Sequence, residues 1–307
     1  MKIIDTHCDA LYKLWRDEDK AFADDEDIAT NAARLKQGNV FVQFFAIWVP
    51  STVPQESKFQ VVQKQMNAFY ERVLAVPNMK AIRSLDEIAS LKEGEIGAVL
   101  ALEGMDALGT DMGKLEWLYE KGVSSIGLTW NDANLCADGI GEMRGAGLTE
   151  FGKKVIALNN KHHVLNDVSH LSIAAFWDVL ECSKKTIASH SNAYAVCHHP
   201  RNLHDDQIDA LIASDSFIGV VFFPTFIKSE LGASIRDLLC HIDHIASRGG
   251  IDHIGFGSDF DGISVHVDKL EHAGMYEHLV NELLKHYKES EVEGFCSRNF
   301  IEKAISG

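Results

Sequence analysis

Residues 96–104 read Ile-Gly-Ala-Val-Leu-Ala-Leu-Glu-Gly, seven residues with no polar side chain closed by a carboxylate and a glycine. A run this apolar, without polar alternation, fits a strand covered on both faces, the pattern of a parallel sheet. Comparable runs recur along the whole chain. The segments read as strands are Lys2–Thr6, Val40–Val49, Ala98–Leu102, Ser125–Thr129, Val164–Ser169, Thr186–Ser189, Phe217–Phe223 and His253–Gly257, eight in all. Between them, Phe59–Val76, Met112–Lys121, Phe151–Lys161, Ile173–Ser183, Asp205–Ala213 and Ile235–Ser247 have helical periodicity and enough length for crossover helices. Eight strands alternating with helices predict a closed (β/α)8 TIM barrel. An open doubly wound sheet would show a Gly-rich phosphate loop after an early strand, and none occurs. With five prolines and no linker-like stretch, residues 1–307 are expected to form one barrel domain, its tail Met275–Ile305 supplying two closing helices.

Barrel active sites lie at the C-terminal ends of the strands. His7 and Asp9 follow the first strand and, by alternation of an extended chain, share a side while Cys8 takes the other. Read alone, His-x-Asp is more often a solvated strand end; its position here turns it into a candidate ligand pair. Glu103 closes its buried strand and needs a cation or a helix to cap. His170 and His190 end two strands one βα unit apart, and neutral imidazole suits zinc. Asp259, in Gly-Phe-Gly-Ser-Asp-Phe-Asp-Gly at 255–262, ends the strand that closes the barrel beside the first, as a sixth ligand or a proton-transfer group. Asp261 reads as a turn residue before Gly262, and His241 and His244 as structural residues of a crossover helix.

Forty-five acidic against 29 basic residues give a formal charge of −16, which argues against nucleic acid or an anionic membrane as a partner. The six cysteines form no CxxC pair and read as reduced thiols, which, with a strand beginning at residue 2 and no membrane-length apolar run, predicts a cytoplasmic protein.

At these positions the chain resembles the membrane (renal) dipeptidase family, peptidase family M19, of the amidohydrolase-like barrels. The resemblance runs in order through DTHCD (5–9), LEGMD (102–106), LTWN (128–131), DVSHLS (167–172), SHSNAY (189–194), PRN (200–202) and GFGSDFDG (255–262). It implies two Zn²⁺ ions, one on His7 and Asp9, the other on His170 and His190, bridged by Glu103. It also implies Asp259 as catalytic acid/base, Arg201 as a substrate contact for a carboxylate, and a homodimer. The reaction it implies is hydrolysis of dipeptides, including those with a C-terminal D-residue, by a hydroxide shared between the metals. One position departs: Trp130 stands where mammalian members have a substrate-facing histidine, and an indole can line a pocket but cannot become a cation. The same site would also suit an amidohydrolase acting on N-acyl amino acids or lactams, and a non-catalytic metal-binding barrel is the reading from another class. No GxSxG motif supports a nucleophilic serine.

Overall fold

The computed structural model of the protein describes residues 1–230 and 232–305. Strands β1 (Ile3–Asp5), β2 (Val40–Trp48), β3 (Met79–Ile82), β4 (Ile96–Glu103), β5 (Val123–Gly127), β6 (Leu165–Asp167), β7 (Thr186–Ala188), β8 (Phe217–Val220) and β9 (Ile254–Phe256) form one all-parallel sheet. Its order β2-β1-β9-β8-β7-β6-β5-β4-β3, with β2 also pairing β4, closes eight of the nine into a barrel. The eight-stranded barrel expected from the sequence is therefore present.

The ninth strand, β3, was not anticipated. It pairs with the first half of β4, at Ile96–Val99, while β5 takes over the second half from Leu100. Met-Lys-Ala-Ile is too short and mixed to announce a strand, and it forms because β4 extends beyond the barrel wall and leaves backbone groups to satisfy. The Ser125–Thr129 strand sits two residues earlier than expected, at Val123–Gly127. The C-terminal segment also differs: helices Tyr276–Leu283 and Glu289–Glu293 are followed by wide helical turns at Gly294–Arg298 and Ile301–Ile305, rather than two plain helices.

Two apolar layers hold the barrel together. Inside, Ile4, Val42, Phe44, Val99, Leu165 and Phe217 fill the lumen. Phe300 plugs its lower end, edge-on to Phe44 at 5.4 Å and Phe217 at 5.1 Å. Along β4, Val99 and Ala101 join the lumen cluster while Ala98, Leu100 and Leu102 face the helices, so the same alternation carries Glu103 to the upper lumen. Outside, helices cover the strands. In the helix Ile235–Ile245, Ser234 and Asp237 form a capping box, and Ile235, Leu238, Leu239, Ile242 and Ile245 bury one face at helical spacing.

Candidate metal centre and active site

The residues expected to carry the chemistry converge at the C-terminal rim. His7 Nε2 lies 3.3 Å from Asp9 Oδ2, 3.8 Å from Glu103 Oε2 and 3.8 Å from Asp259 Oδ1. His170 Nε2 lies 2.8 Å from both Glu103 Oε1 and His190 Nε2. His7, Glu103 and His190 bring one donor atom each within 4.8 Å of one another, and so do His7, Asp9 and Asp259. His7 belongs to both groups. Cys8 turns away into the outer core, beside Thr30.

Local backbone conformation aims these groups. His170 (φ 69°), Asp259 (φ 63°) and Asp261 (φ 71°) adopt the left-handed region, which costs a non-glycine residue about 1 kcal/mol or more and persists where the surroundings enforce it. Asp5, fully buried in β1, accepts the Ser258 N–H (2.9 Å) and Ser258 hydroxyl (2.7 Å), tying the end of β9 to the end of β1. Gly262 passes so close that a Cβ there would fall 2.3 Å from Asp9 Oδ2 and 2.6 Å from Asp259 Oδ1.

A second set of hydrogen bonds fixes the imidazole tautomers. His170 Nδ1 lies 2.8 Å from the Asn131 side-chain oxygen, an acceptor, so it carries the proton and leaves Nε2 as a lone pair. His190 Nδ1 lies 2.7 Å from Ser189 Oγ, whose own hydroxyl donates to Asp167 Oδ2. Ser189 therefore accepts from Nδ1, and His190 likewise presents a bare Nε2. Asn131, Ser189 and Asp167 had not been singled out, although all three lie within the LTWN, SHSNAY and DVSHLS stretches. Nothing in their spacing says that they touch a ligand.

Burial shapes the electrostatics of the pocket. Burial drives the carboxyls of Asp9, Glu103 and Asp259 upward and the imidazoles of His170 and His190 well below their usual range, each away from its charged form. Burial also opposes a charge on His7, but Glu103, Asp9 and Asp259 outweigh it and lift this imidazole to about 10. His7 Nε2 is buried without a hydrogen-bond partner. Three carboxylates, two imidazoles with free lone pairs and an unpartnered third nitrogen suit divalent ions of borderline softness.

A cavity of about 210 Å³ lies over these groups, bounded by Tyr12, Trp48, Trp130, Phe223, Phe226 and Ile263 above Asp9, Glu103, His170 and Asp259. A larger cleft, about 710 Å³, lies at the opposite end of the barrel among Arg83, His162, His163 and Lys184 and contains none of them. Chemistry belongs with the smaller one, at the face where strand ends converge. Trp130 packs against Trp48 (5.2 Å between ring centroids) and His170 (6.1 Å). Arg201 is buried beside the cavity rather than lining it. One of its amino groups donates to the His190 carbonyl oxygen (3.2 Å), its guanidinium stands 5.5 Å from the Phe226 ring, and its Nε has no partner. Burial lowers this guanidinium to about 10 against the pull of Glu103, Asp259 and Asp167.

The model of the membrane dipeptidases matches residues 1–303. The chain belongs to peptidase family M19. Within the family it is 30% identical to dipeptidase verJ of Clonostachys rogersoniana over 92% of this chain and 78% of that protein. It is 29% identical to an uncharacterized dipeptidase of Schizosaccharomyces pombe over 98% and 79%. A solved metallopeptidase of Rhodobacter sphaeroides, liganded with a phosphinate mimic of the dipeptide L-Ala-D-Ala, superposes with a TM-score of 0.93 at 26% identity, covering 99% of this chain and 98% of that one. As an M19 member the chain is a dipeptidase and a metallopeptidase that hydrolyses peptide bonds.

His241 is structural: it is fully buried, accepts the Ala193 N–H at Nδ1 and meets the Ile227 carbonyl oxygen at Nε2. His244 pairs with Asp205 on the barrel exterior. Asp261 does sit in a tight turn but does more, accepting the N–H groups of Ala29 and Thr30, the Thr30 hydroxyl and the Lys13 ammonium. No helix among the described residues is long and apolar enough to cross a membrane.

Proposed function

We propose that this dipeptidase works with two zinc ions held by His7, Asp9, Glu103, His170 and His190, with Glu103 shared between them. The observation that carries the reading is the convergence of five carboxylate and imidazole groups, with His7 Nε2 unpartnered and the Nε2 lone pairs of His170 and His190 freed by Asn131 and Ser189. When bound, such ions supply Lewis acidity that acidifies water and polarises a carbonyl oxygen.

The chain's own groups do the rest. Asp259, as the carboxylate, accepts a proton from the attacking water and returns it to the departing amine. Arg201 receives the substrate carboxylate from the His190 and Phe226 side, its unpaired Nε supplying a donor. Trp130 lines the cavity and positions substrate by contact alone. At about 210 Å³ the cavity is below the roughly 300–1,000 Å³ typical of sites for drug-sized ligands, which suits a dipeptide. Dipeptides with a C-terminal D-residue fall within this reading, since the relative of known structure carries a mimic of one.

Metal analysis combined with a panel of L,L and L,D dipeptides and N-acyl amino acids tests it. Two equivalents of zinc and turnover of dipeptides are expected; turnover confined to the acyl compounds, or full activity of Asp259→Asn, would refute it.

A further inference from the structure

The cavity over the metal ligands has two unlike sides. On one, Tyr12, Trp48 and Trp130 form a continuous aromatic wall, with centroid separations of 5.2 Å for Tyr12–Trp48 and 5.2 Å for Trp48–Trp130. On the other stand Phe223 and Phe226, with Arg201 behind them. The order of strands fixes their relation. Around the closed ring β1, β2, β4, β5, β6, β7, β8, β9, the strand that ends in Trp48 lies diametrically across from β7, whose following loop carries Arg201. Trp48 is also anchored: the Gln65 side chain accepts its backbone N–H (3.3 Å) and donates to its carbonyl oxygen (2.6 Å). The middle residue of the wall is thus held by its backbone.

We infer that the Tyr12–Trp48–Trp130 wall receives the side chain of the substrate's N-terminal residue and selects dipeptides in which that residue is aromatic or a large aliphatic. The inference rests on the dipeptidase reading and on Arg201 as the anchor of the carboxylate. With the C-terminal end held on the β7–β8 side and the scissile carbonyl over the ligands, the N-terminal side chain projects across the barrel toward β2 and β5. There it meets three partly exposed aromatic rings and no basic side chain. With no basic side chain among Tyr12, Trp48 and Trp130, the wall offers an acidic side chain no ion-pair partner. Apolar contact is worth more than any polar alternative the wall offers, because an indole has a single donor and that of Trp48 is buried.

Steady-state kinetics on the zinc-loaded enzyme with Phe-Ala, Leu-Ala, Gly-Ala and Asp-Ala, and with the reversed pair Ala-Phe and Ala-Gly, provide the test. A pocket that gains several methylene equivalents of contact discriminates by at least about 10-fold in kcat/KM. Phe-Ala and Leu-Ala should exceed Gly-Ala by that margin, with Asp-Ala the poorest. Trp48→Leu and Trp130→Ala should each lower the Phe-Ala to Gly-Ala ratio by about 5- to 10-fold while the Ala-Phe to Ala-Gly ratio moves less than about twofold. The ordering in the parent enzyme is informative even if a variant fails to fold. Dipeptide turnover that is flat across the N-terminal series, or ratios unchanged in both folded variants, would overturn the wall's role and leave the dipeptidase reading standing. Absence of turnover on every dipeptide would overturn both.

Discussion

Changing Asp167 to asparagine should reverse two hydrogen bonds in series and leave the surrounding backbone in place. Asp167 Oδ1 accepts the backbone N–H groups of Ser169 (3.0 Å) and Ser189 (2.9 Å), and Oδ2 accepts the Ser189 hydroxyl. A carboxamide with its oxygen in the Oδ1 place keeps both backbone bonds, so the turn that presents His190 survives. Its NH₂ then faces Ser189 Oγ, whose proton must swing toward His190 Nδ1, 2.7 Å away. The imidazole proton moves to Nε2, and the lone pair that faces the metal position is lost. Groups hydrogen-bonded to metal-ligating histidines typically set affinity or activity by about 10- to 100-fold, equivalent to about 1.4–2.7 kcal/mol. Inversion of the tautomer belongs at the upper end. Ser189→Ala, which merely leaves Nδ1 without a partner, belongs at the lower end. Zinc competition against a chromophoric chelator measures both variants, with circular dichroism as the control for folding. If folded Asp167→Asn binds zinc within about twofold of the parent, or Ser189→Ala is the more damaged of the two, the assignment of the tautomer is wrong.

Four further outcomes follow from the same geometry. Gly262→Ala places a methyl 2.3 Å from Asp9 Oδ2 and 2.6 Å from Asp259 Oδ1, so kcat should fall at least about 10²-fold, as a misplacement of about 1 Å commonly produces, with the circular dichroism spectrum unchanged. Asp261→Ala strands the Ala29 and Thr30 N–H groups and the Thr30 hydroxyl and should cost about 3–5 kcal/mol. At about 2.1 cal/mol/K per residue over 307 residues, a thermal scan should show Tm lower by about 5–8 °C. Removing the two metals with a chelator should lower Tm by about 13 °C relative to protein holding each at 1,000 times its Kd, since that ratio is worth about 4 kcal/mol per ion. Finally, burial lowers His241 to about 4 from 6.5, so the unfolded chain takes up the proton first as pH falls. The stability this neutral imidazole contributes is complete above about pH 6.5 and is lost progressively down to about pH 4, by about 3 kcal/mol in total. Urea midpoints at pH 7.5 and 4.5 should therefore differ less in His241→Gln than in the parent.

Sequence alone determined the barrel and the identity of its rim. The runs at 96–102 and its seven counterparts are apolar because strands of a closed parallel barrel are covered on both faces, and that constraint writes itself into composition. His7, Glu103, His170, His190 and Asp259 were legible for a related reason: each ends such a run, and the fold gathers strand ends at one face. Tertiary structure decided what depends on contact between distant segments. The left-handed backbone at His170 and Asp259, the tautomers set by Asn131 and the Ser189–Asp167 pair, the four partners of Asp261 and the short β3 beside β4 all arise where loops from different strands meet. No local pattern encodes such meetings. The aromatic wall is the clearest case, since Tyr12, Trp48 and Trp130 stand far apart in the chain and become one surface only when the barrel closes. The placement of the candidate ligands follows from where each strand ends, whereas side-chain orientation and protonation follow from which ends become neighbours.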